Sequence, residues 1–256
     1  MQCIHGKMAS MTDATLRNQY LNAMGIDVWV RRGGKLSADE MSAASLSAVV
    51  GAAAVRDTVT VRQPQLSGDV ASLDWDGVAA RVAGCTLCEL HTTRTRTVFG
   101  VGNRNADWLV IGEAPGADED LRGEPFVGRA GQLLNAMLFA IGLQRDQVYI
   151  ANILKCRPPN NRDPASAEVA CCEPYLFRQI ELIQPKIILA VGRIAAQNLL
   201  KTDTPIGKLR RQVHYYGPQR IPVVVTYHPA YLLRSPSEKR KAWDDLRFAC
   251  EVLHKV

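Results

Sequence analysis

The chain has 256 residues, of which 47% are hydrophobic and 22% are charged, as is usual for a globular protein. This length is sufficient for one sizeable α/β domain with an appendage. The net charge of +6 fits a polyanionic partner without identifying one. The sequence contains no apolar run of ~20 residues and no signal-peptide pattern, so it predicts neither a membrane span nor a secretory leader. We therefore expect a cytoplasmic protein whose cysteines stay reduced unless they bind metal.

The first part of the chain, residues 1–73, differs in composition from the rest. After a short amphipathic pattern (TLRNQYLNAMGIDVWVRR), it is rich in Ala, Ser, Gly and Val and has few large apolar side chains. Such a stretch buries too little surface to fold firmly by itself. We predict an N-terminal arm and linker over 1–73, either poorly ordered or used to dock a partner, followed by a folded domain over 74–256.

From Asp74 onwards, strand patterns alternate with helical patterns. The strand patterns span 107–112, 147–154, 186–192 and 221–227, and the helical patterns span 128–143, 163–183, 192–200 and 237–255. Continuously apolar strands are typical of parallel sheets that are buried on both faces. The alternation therefore predicts an α/β protein, a three-layer α/β/α sandwich with a central, mainly parallel sheet of four strands.

Polar loops follow each predicted strand. The first strand runs into GEAPGADED, the second into NILKCRPPNNR, the third into GRIAAQ and the fourth into YHPAYLLR. Ligands of open α/β sheets bind beyond the carboxyl ends of the strands, so these loops predict a site. A glycine-rich loop between strand and helix commonly binds phosphate. The first loop carries many carboxylates, which repel phosphate, so we expect it to hold another kind of group.

The cysteines suggest a metal site. Cys85 and Cys88 form a CxxC pair, Cys156 lies in KCRPP, and Cys171 and Cys172 follow on a predicted helix. CxxC spacing allows two thiolates to face one metal. The remaining cysteines, Cys156 and the adjacent Cys171 and Cys172, do not form a second CxxC pair, and this spacing fits an iron–sulfur cluster. A structural zinc and metal-free core cysteines are the alternatives that spacing alone leaves open.

Four motifs together resemble a known family. CTLCEL, GEAPGADEDLRGEPFVGRAGQLL, NILKCRPPNNRDP and HPAYLLR occur in the order found in the family 4 uracil-DNA glycosylases, the iron–sulfur members of their superfamily. The resemblance covers about residues 75–256. It implies a catalytic domain over 74–256 that flips uracil out of DNA and hydrolyses its N-glycosidic bond, the first step of base excision repair. It also implies single- or double-stranded DNA as the partner. No oligomer pattern is visible in the sequence, so we expect a monomer.

The resemblance implies a cofactor and its ligands. A 4Fe–4S cluster would be held by Cys85, Cys88, Cys156 and Cys172, with a structural role. Cys172 is preferred to Cys171 because its separation from Cys156 is close to the family's spacing.

The resemblance also implies a pocket for the base. Phe126 would stack on uracil, and Asn152 would read the polar edge of the base. His228 would stabilise the leaving group at uracil O2. Gly112 and Ala114 would line the same pocket. Ala114 stands where the better-known single-domain uracil glycosylases have an aspartate, whose role must therefore pass to another residue.

The attacking water and the DNA strand would need further groups. Glu113 and Glu119 are the candidates for orienting the water, with Glu113 slightly favoured. Arg157, Arg162 and Arg234 are the candidates for DNA binding, because each lies in a motif loop on the predicted rim.

Three further points concern subtype and alternatives. The loop RPPNNRDPASAEV has no inserted histidine, which favours turnover by hydrolysis over covalent capture of uracil. Leu232 or Leu233 is a candidate wedge into duplex DNA, with a core position as the alternative. The rival function is a non-catalytic iron–sulfur protein that binds DNA as a replication accessory and works through the arm.

Overall fold

The computed structural model describes residues 70–255, so the predicted arm lies almost entirely outside the described residues. None of the helices within 70–255 combines the length and the apolar character that a membrane span requires.

A mixed sheet of six strands lies at the centre of the domain, in the order β1-β3-β2-β4-β6-β5. The strands are β1 (Val101–Gly102), β2 (Trp108–Gly112), β3 (Tyr149–Asn152), β4 (Ile187–Val191), β5 (His214–Tyr216) and β6 (Ile221–Thr226). Strands β3, β2, β4 and β6 are mutually parallel, and the short β1 and β5 pair antiparallel at the two edges. The predicted parallel core of four strands is confirmed, and the two edge strands are additional to it.

Helices surround this sheet. They are α1 (Trp75–Ala83), α2 (Ala117–Arg122), α3 (Arg129–Ala140), α4 (Ser166–Ile183), α5 (Arg193–Leu200), α6 (Ile206–Leu209), α7 (Pro229–Arg234) and α8 (Lys239–Leu253). The four helices predicted from periodicity correspond to α3, α4, α5 and α8, with ends a few residues inside the predicted ones. The short α2 and α7 lie within loops that follow strands and were not predicted as helices.

The core lies on both faces of the sheet. Along β2, Leu109 and Ile111 pack into one apolar cluster with residues of α4 and α5, whereas Trp108 and Val110 pack into a second cluster with residues of α3 and α8. Neighbouring side chains of a strand point to opposite faces, so this alternation places one helical layer on each side. The predicted three-layer sandwich is confirmed.

The parallel strands bring four loops to one edge of the sheet. Strands β2, β3, β4 and β6 end at Gly112, Asn152, Val191 and Thr226, and the register pairs these ends closely, with Gly112 beside Asn152 and Val191 beside Thr226. The residues that follow therefore meet above a common edge. This edge is the place where a parallel sheet binds its ligands.

Candidate active site

A cavity of about 760 Å³ opens at this edge of the sheet. Most of the non-cysteine residues predicted for the site line it: Glu113, Ala114, Glu119, Phe126, Asn152, Arg162, His228 and Arg234. They come from loops that follow different strands. The fold therefore brings together groups that are far apart in sequence.

Gly112 does not line the cavity but sets the distance between two residues that do. A Cβ atom at this position would lie 2.4 Å from Asn152 Oδ1 and 2.7 Å from the Phe126 ring. Such distances are too short for any side chain. The end of β2 must therefore be glycine for the Asn152 amide and the Phe126 ring to approach each other.

The Asn152 side chain is buried yet incompletely bonded. It is 2% exposed, and its Oδ1 has no hydrogen-bond partner within residues 70–255. Its backbone carbonyl accepts a hydrogen bond from the buried Lys155 ammonium at 3.1 Å, and Gln179 Oε1 accepts another from the same group at 2.6 Å. Because an unsatisfied buried amide oxygen is costly, this atom is ready to accept from a ligand.

Phe126 is held in a strained conformation at the wall of the cavity. Its φ of 53° lies in the left-handed region, which is unfavourable for an aromatic residue. The Arg145 guanidinium donates to the carbonyls of Pro125 and Phe126, the latter at 3.2 Å. Gly131 on α3 leaves room for the same carbonyl, because a Cβ there would lie 1.8 Å from the Phe126 oxygen. The surroundings thus impose the position of the ring.

His228 faces Phe126 across the cavity, with ring centroids 5.6 Å apart and ring planes 31° from parallel. It caps α7, and the Ala230 N–H donates to its Nδ1 at 3.1 Å. In a neutral ring the proton must therefore be on Nε2. Burial, together with the nearby positive charge of Arg234, lowers the pKa of His228 to about 4. At neutral pH this side chain is an uncharged donor.

Glu119 is engaged by the backbone of its own loop. Its Oε1 accepts from the N–H groups of Val127 and Gly128 at 2.8 and 3.0 Å, and its Oε2 accepts from Gly116 N–H at 3.1 Å. These bonds join the start of α2 to the segment that carries Phe126. Glu119 therefore stabilises the conformation of this loop.

Glu113 has a different environment. The structure gives its carboxylate no hydrogen bond within 70–255, and it lines the cavity directly. Burial raises its pKa to about 7, and the negative charge of Asp163 adds to this effect while Arg193 opposes it. Asp163 and Arg193 form an ion pair of 2.6 Å at the cavity wall. A carboxylate with a pKa near neutrality is suited to hydrogen-bond a water molecule.

The three candidate DNA-binding arginines differ in their partners. Arg162 donates to both oxygens of Glu168, at 2.9 and 2.6 Å, which orders the loop before α4. Arg157 bonds Asn161 at 2.8 Å and lies outside the cavity lining. Arg234 has no hydrogen bond or ion pair in the described part of the chain, and it is exposed at the cavity rim. Arg234 is thus the most available of the three for a phosphate.

The four cysteines expected as ligands come from separate elements. Cys85 follows α1, Cys88 begins a short 3₁₀ turn, Cys156 follows β3, and Cys172 lies on α4. They interact electrostatically: Cys85 and Cys88 act on Cys156, and Cys156 and Cys88 act on Cys172. The neighbouring Cys171 also acts on Cys88, and it donates its thiol to the Leu87 carbonyl at 3.3 Å.

The donor chemistry around these cysteines fits an anionic iron–sulfur cluster. Burial raises the pKa of Cys156, and Arg94 opposes this effect by donating to Cys156 Sγ at 3.2 Å, a contact that favours the thiolate form. Within 70–255, no three His, Cys, Asp or Glu side chains converge on a site for one metal ion. A cubane cluster binds its cysteines through different iron atoms, so its ligands need not converge on one point.

Comparison with known proteins identifies the family. A family model described as the uracil DNA glycosylase superfamily matches residues 99–247. The chain belongs to this superfamily. It is 46% identical over 187 residues to a type-4 uracil-DNA glycosylase from Archaeoglobus fulgidus, an alignment that covers 70% of this chain and 94% of the relative. It is 44% identical over 186 residues to a type-4 enzyme from Saccharolobus solfataricus, an alignment that covers 70% of this chain and 86% of the relative. It is 42% identical over 182 residues to a type-4 enzyme from Thermotoga maritima, with coverage of 70% and 94%. The resemblance to type 4 is confirmed.

This member of the uracil-DNA glycosylase superfamily has further cavity residues that the sequence reasoning did not single out. Asn161, Asp163, Arg193, Tyr227 and Tyr231 all line the cavity. Asn161 has a left-handed φ of 53°, which the consecutive asparagines of PPNNR favour. Tyr231 stands inside HPAYLLR and could have been found from that motif. Arg193 and Asp163 pair across two loops, a contact that no local pattern reveals.

Proposed function

We propose that this chain is a DNA repair enzyme, a uracil-DNA glycosylase that hydrolyses the bond between uracil and deoxyribose and leaves an abasic site. One observation carries this proposal: the Phe126 ring, the Asn152 amide, the His228 imidazole and the Glu113 carboxylate share one cavity. The type-4 uracil-DNA glycosylases that it resembles at more than 40% identity support the same activity. The net charge of +6 supports DNA, single- or double-stranded, as the partner. We further propose a monomer in the cytoplasm.

The cavity can accept an extruded base. An enzyme cannot reach the reacting atoms of a base that is stacked within a helix, so it must rotate the base into a pocket. A volume of about 760 Å³ lies in the range of small-molecule sites. The Phe126 ring provides a face for stacking, and its imposed backbone conformation prepares that face before DNA binds.

Asn152 reads the edge of the base in this proposal. The amide nitrogen can donate to uracil O4 while Oδ1 accepts from uracil N3–H. Cytosine presents a donor and an acceptor in the opposite places, so both contacts would fail. A buried amide left unpaired costs about 1–3 kcal/mol, which disfavours cytosine by about five- to 150-fold. The buried Lys155 positions this residue through its carbonyl.

His228 stabilises the departing base. Cleavage leaves negative charge on uracil, partly at O2. The Nε2–H of the neutral ring is oriented by the Ala230 contact and donates to that oxygen. A preorganised donor in an enclosed site contributes about 2.7–4 kcal/mol to the transition state.

Glu113 orients the water, and Glu119 has a positioning role. As the sugar becomes cationic, a carboxylate on its other side both directs water and stabilises the charge. Glu113 has no backbone partner for its side chain within 70–255 and lies in the cavity, whereas the Glu119 oxygens are occupied by three N–H groups. This difference supports Glu113 for the water and Glu119 for shaping the Phe126 segment.

We also assign a 4Fe–4S cluster to Cys85, Cys88, Cys156 and Cys172. When bound, the cluster supplies a structural cross-link and no redox step. Arg94 at Cys156 Sγ and the mutual influence of the four thiols support this assignment. The hydrogen bond from Cys171 to Leu87 supports Cys172 as the fourth ligand.

The test uses a labelled single-stranded oligonucleotide with one uracil. The full chain is added, hot alkali cleaves any abasic site, and a thymine oligonucleotide serves as the substrate control. We expect a cut that depends on uracil, that is lost in His228→Ala, and that persists in His254→Ala at the exposed end of α8. If the purified protein retains its iron and its visible absorbance but does not cut the uracil oligonucleotide, the glycosylase proposal is overturned. That outcome would favour the DNA-binding accessory protein.

A further inference from the structure

The helix that follows His228 presents two unlike side chains to the cavity rim. Tyr231 and Arg234 both line the cavity, and they lie three residues apart on α7, so they share one face. Leu232, between them, points into the core and is only 1% exposed. Leu232 therefore occupies the core position that was the alternative to a wedge, and Leu233 packs partly against the same core.

The Tyr231 ring is supported from behind by a chain of contacts. It packs on Tyr227, with ring centroids 5.1 Å apart and planes 50° apart. The Arg210 guanidinium also lies over the Tyr227 ring, 4.3 Å from the ring centre. Arg210 in turn forms a buried ion pair with Asp245, with nitrogen–oxygen distances of 2.6 and 2.9 Å. This arrangement places a rigid aromatic surface at the rim.

Arg234 supplies positive charge beside this surface. Arg162 and Arg157 have side-chain partners, but Arg234 has none among residues 70–255. An aromatic ring next to an available guanidinium matches the two parts of a nucleotide outside a duplex: a base with a π face and an anionic phosphodiester.

We propose that Tyr231 and Arg234 form a subsite for the nucleotide next to the extruded uracil, in which Tyr231 stacks on the neighbouring base and Arg234 contacts its phosphodiester. This subsite rests on the proposed glycosylase function and extends it to the flanking strand. Stacking accepts every base, so the subsite holds the strand without reading its sequence. It also needs no complementary strand, so the enzyme would hold single-stranded DNA firmly.

The test is a double-mutant cycle between protein and DNA. Fluorescence anisotropy measures the Kd of the full chain for a single-stranded oligonucleotide with one non-cleavable 2′-fluoro-deoxyuridine. Two further oligonucleotides replace the 5′ or the 3′ neighbouring base with tetrahydrofuran, which keeps the phosphates but lacks a base. The proteins are wild type, Tyr231→Leu, Tyr231→Phe and, as the matched control, Tyr215→Leu on the distant edge strand β5.

We expect Tyr231→Leu to raise Kd about tenfold on the intact oligonucleotide, with Tyr231→Phe close to wild type. Removal of the base on which Tyr231 stacks should raise the Kd of the wild-type protein by the same factor. It should leave the Kd of Tyr231→Leu unchanged. Tyr215→Leu should behave as wild type throughout. An equal weakening of Tyr231→Leu on all three oligonucleotides would overturn the proposal, because the tyrosine would then act through packing.

The contact between Arg234 and the phosphodiester is tested separately, by the salt dependence of Kd. Arg234→Gln should reduce the slope of log Kd against log salt concentration by about 0.7, the amount expected for one phosphate contact on a single strand. An unchanged slope would remove Arg234 from the subsite. These measurements do not depend on cleavage: a wild-type protein that cuts no uracil substrate overturns the proposed function, while the cycle decides the subsite separately.

Discussion

The state of Glu113 makes the pH dependence of the reaction predictable. A carboxylate directs water only when it is ionised, and burial and Asp163 raise the pKa of Glu113 to about 7. The ionised fraction is then about one half at pH 7, about one tenth at pH 6 and about one hundredth at pH 5. His228 stays neutral over this range because its pKa is lowered to about 4. We therefore expect kcat/KM to fall about fivefold from pH 7 to pH 6 and about tenfold from pH 6 to pH 5.

Two substitutions test the origin of this fall. Asp163→Asn removes the neighbouring negative charge and releases Arg193 from its ion pair, and both changes favour ionised Glu113. The acidic side of the profile should therefore move to lower pH. Glu113→Gln should be slow and independent of pH over the same range. Asp146→Asn, in the 3₁₀ turn Arg145–Gln147 and outside the cavity lining, should leave the profile unchanged.

The assay follows release of uracil from a single-stranded oligonucleotide between pH 5 and pH 9, at substrate concentrations well below KM. Under these conditions the rate reports kcat/KM, whose pH dependence reflects the free enzyme. A wild-type profile that is flat from pH 5 to pH 8 would refute the reasoning. So would an Asp163→Asn profile that moves to higher pH.

Three other substitutions have defined outcomes. Gly112→Ala forces a methyl group against Asn152 and Phe126, and overpacking of about 1–3 kcal/mol should lower kcat/KM by about five- to 150-fold. Glu119→Gln weakens charge-assisted bonds to three backbone N–H groups and should lower the free energy of unfolding in urea by about 1–2 kcal/mol. Cys88→Ser should reduce the iron content and the visible absorbance of the purified protein, and should lower its Tm.

Each of these has a control within the chain. Gly207→Ala adds a methyl group to open space, so activity equal to wild type is expected there, and equal losses at both glycines would contradict the steric argument. Glu124→Gln lies in the same loop and should leave the unfolding free energy close to that of wild type. Cys171→Ser should retain iron; loss of iron in that variant would make Cys171 a ligand in place of Cys172.

The interior of the fold was predictable because its strands are continuously apolar. Runs such as WLVIG and IILAV are buried on both faces, and that pattern is visible without a structure. The edge strands β1 and β5 have two and three residues, too few to show a period. Helices α2 and α7 have six residues each and lie inside polar loops, so their apolar periodicity is equally short.

The sequence motifs predict which residues belong to the site, but they do not predict the role of each residue. The motifs point to both Glu113 and Glu119, and nothing in either motif separates a free carboxylate from an occupied one. The occupation of Glu119 depends on N–H groups eight and nine residues further along, which the chain turns back towards it only after folding. The same holds for the arginines: Arg162 is paired and Arg234 is available, although both stand in motif loops.

The protonation states depend most strongly on three-dimensional structure. His228 is neutral because burial, assisted by Arg234, lowers its pKa, and it is a donor through Nε2 because Ala230, two residues later, turns its N–H back onto Nδ1 at the start of a helix. Glu113 has a pKa near neutrality because folding buries its carboxylate and because Asp163, fifty residues further along the chain, reaches the same cavity wall. Opposite shifts in one cavity leave a neutral donor and an ionisable carboxylate together near neutral pH. Bond cleavage that builds negative charge on the base and positive charge on the sugar requires that combination.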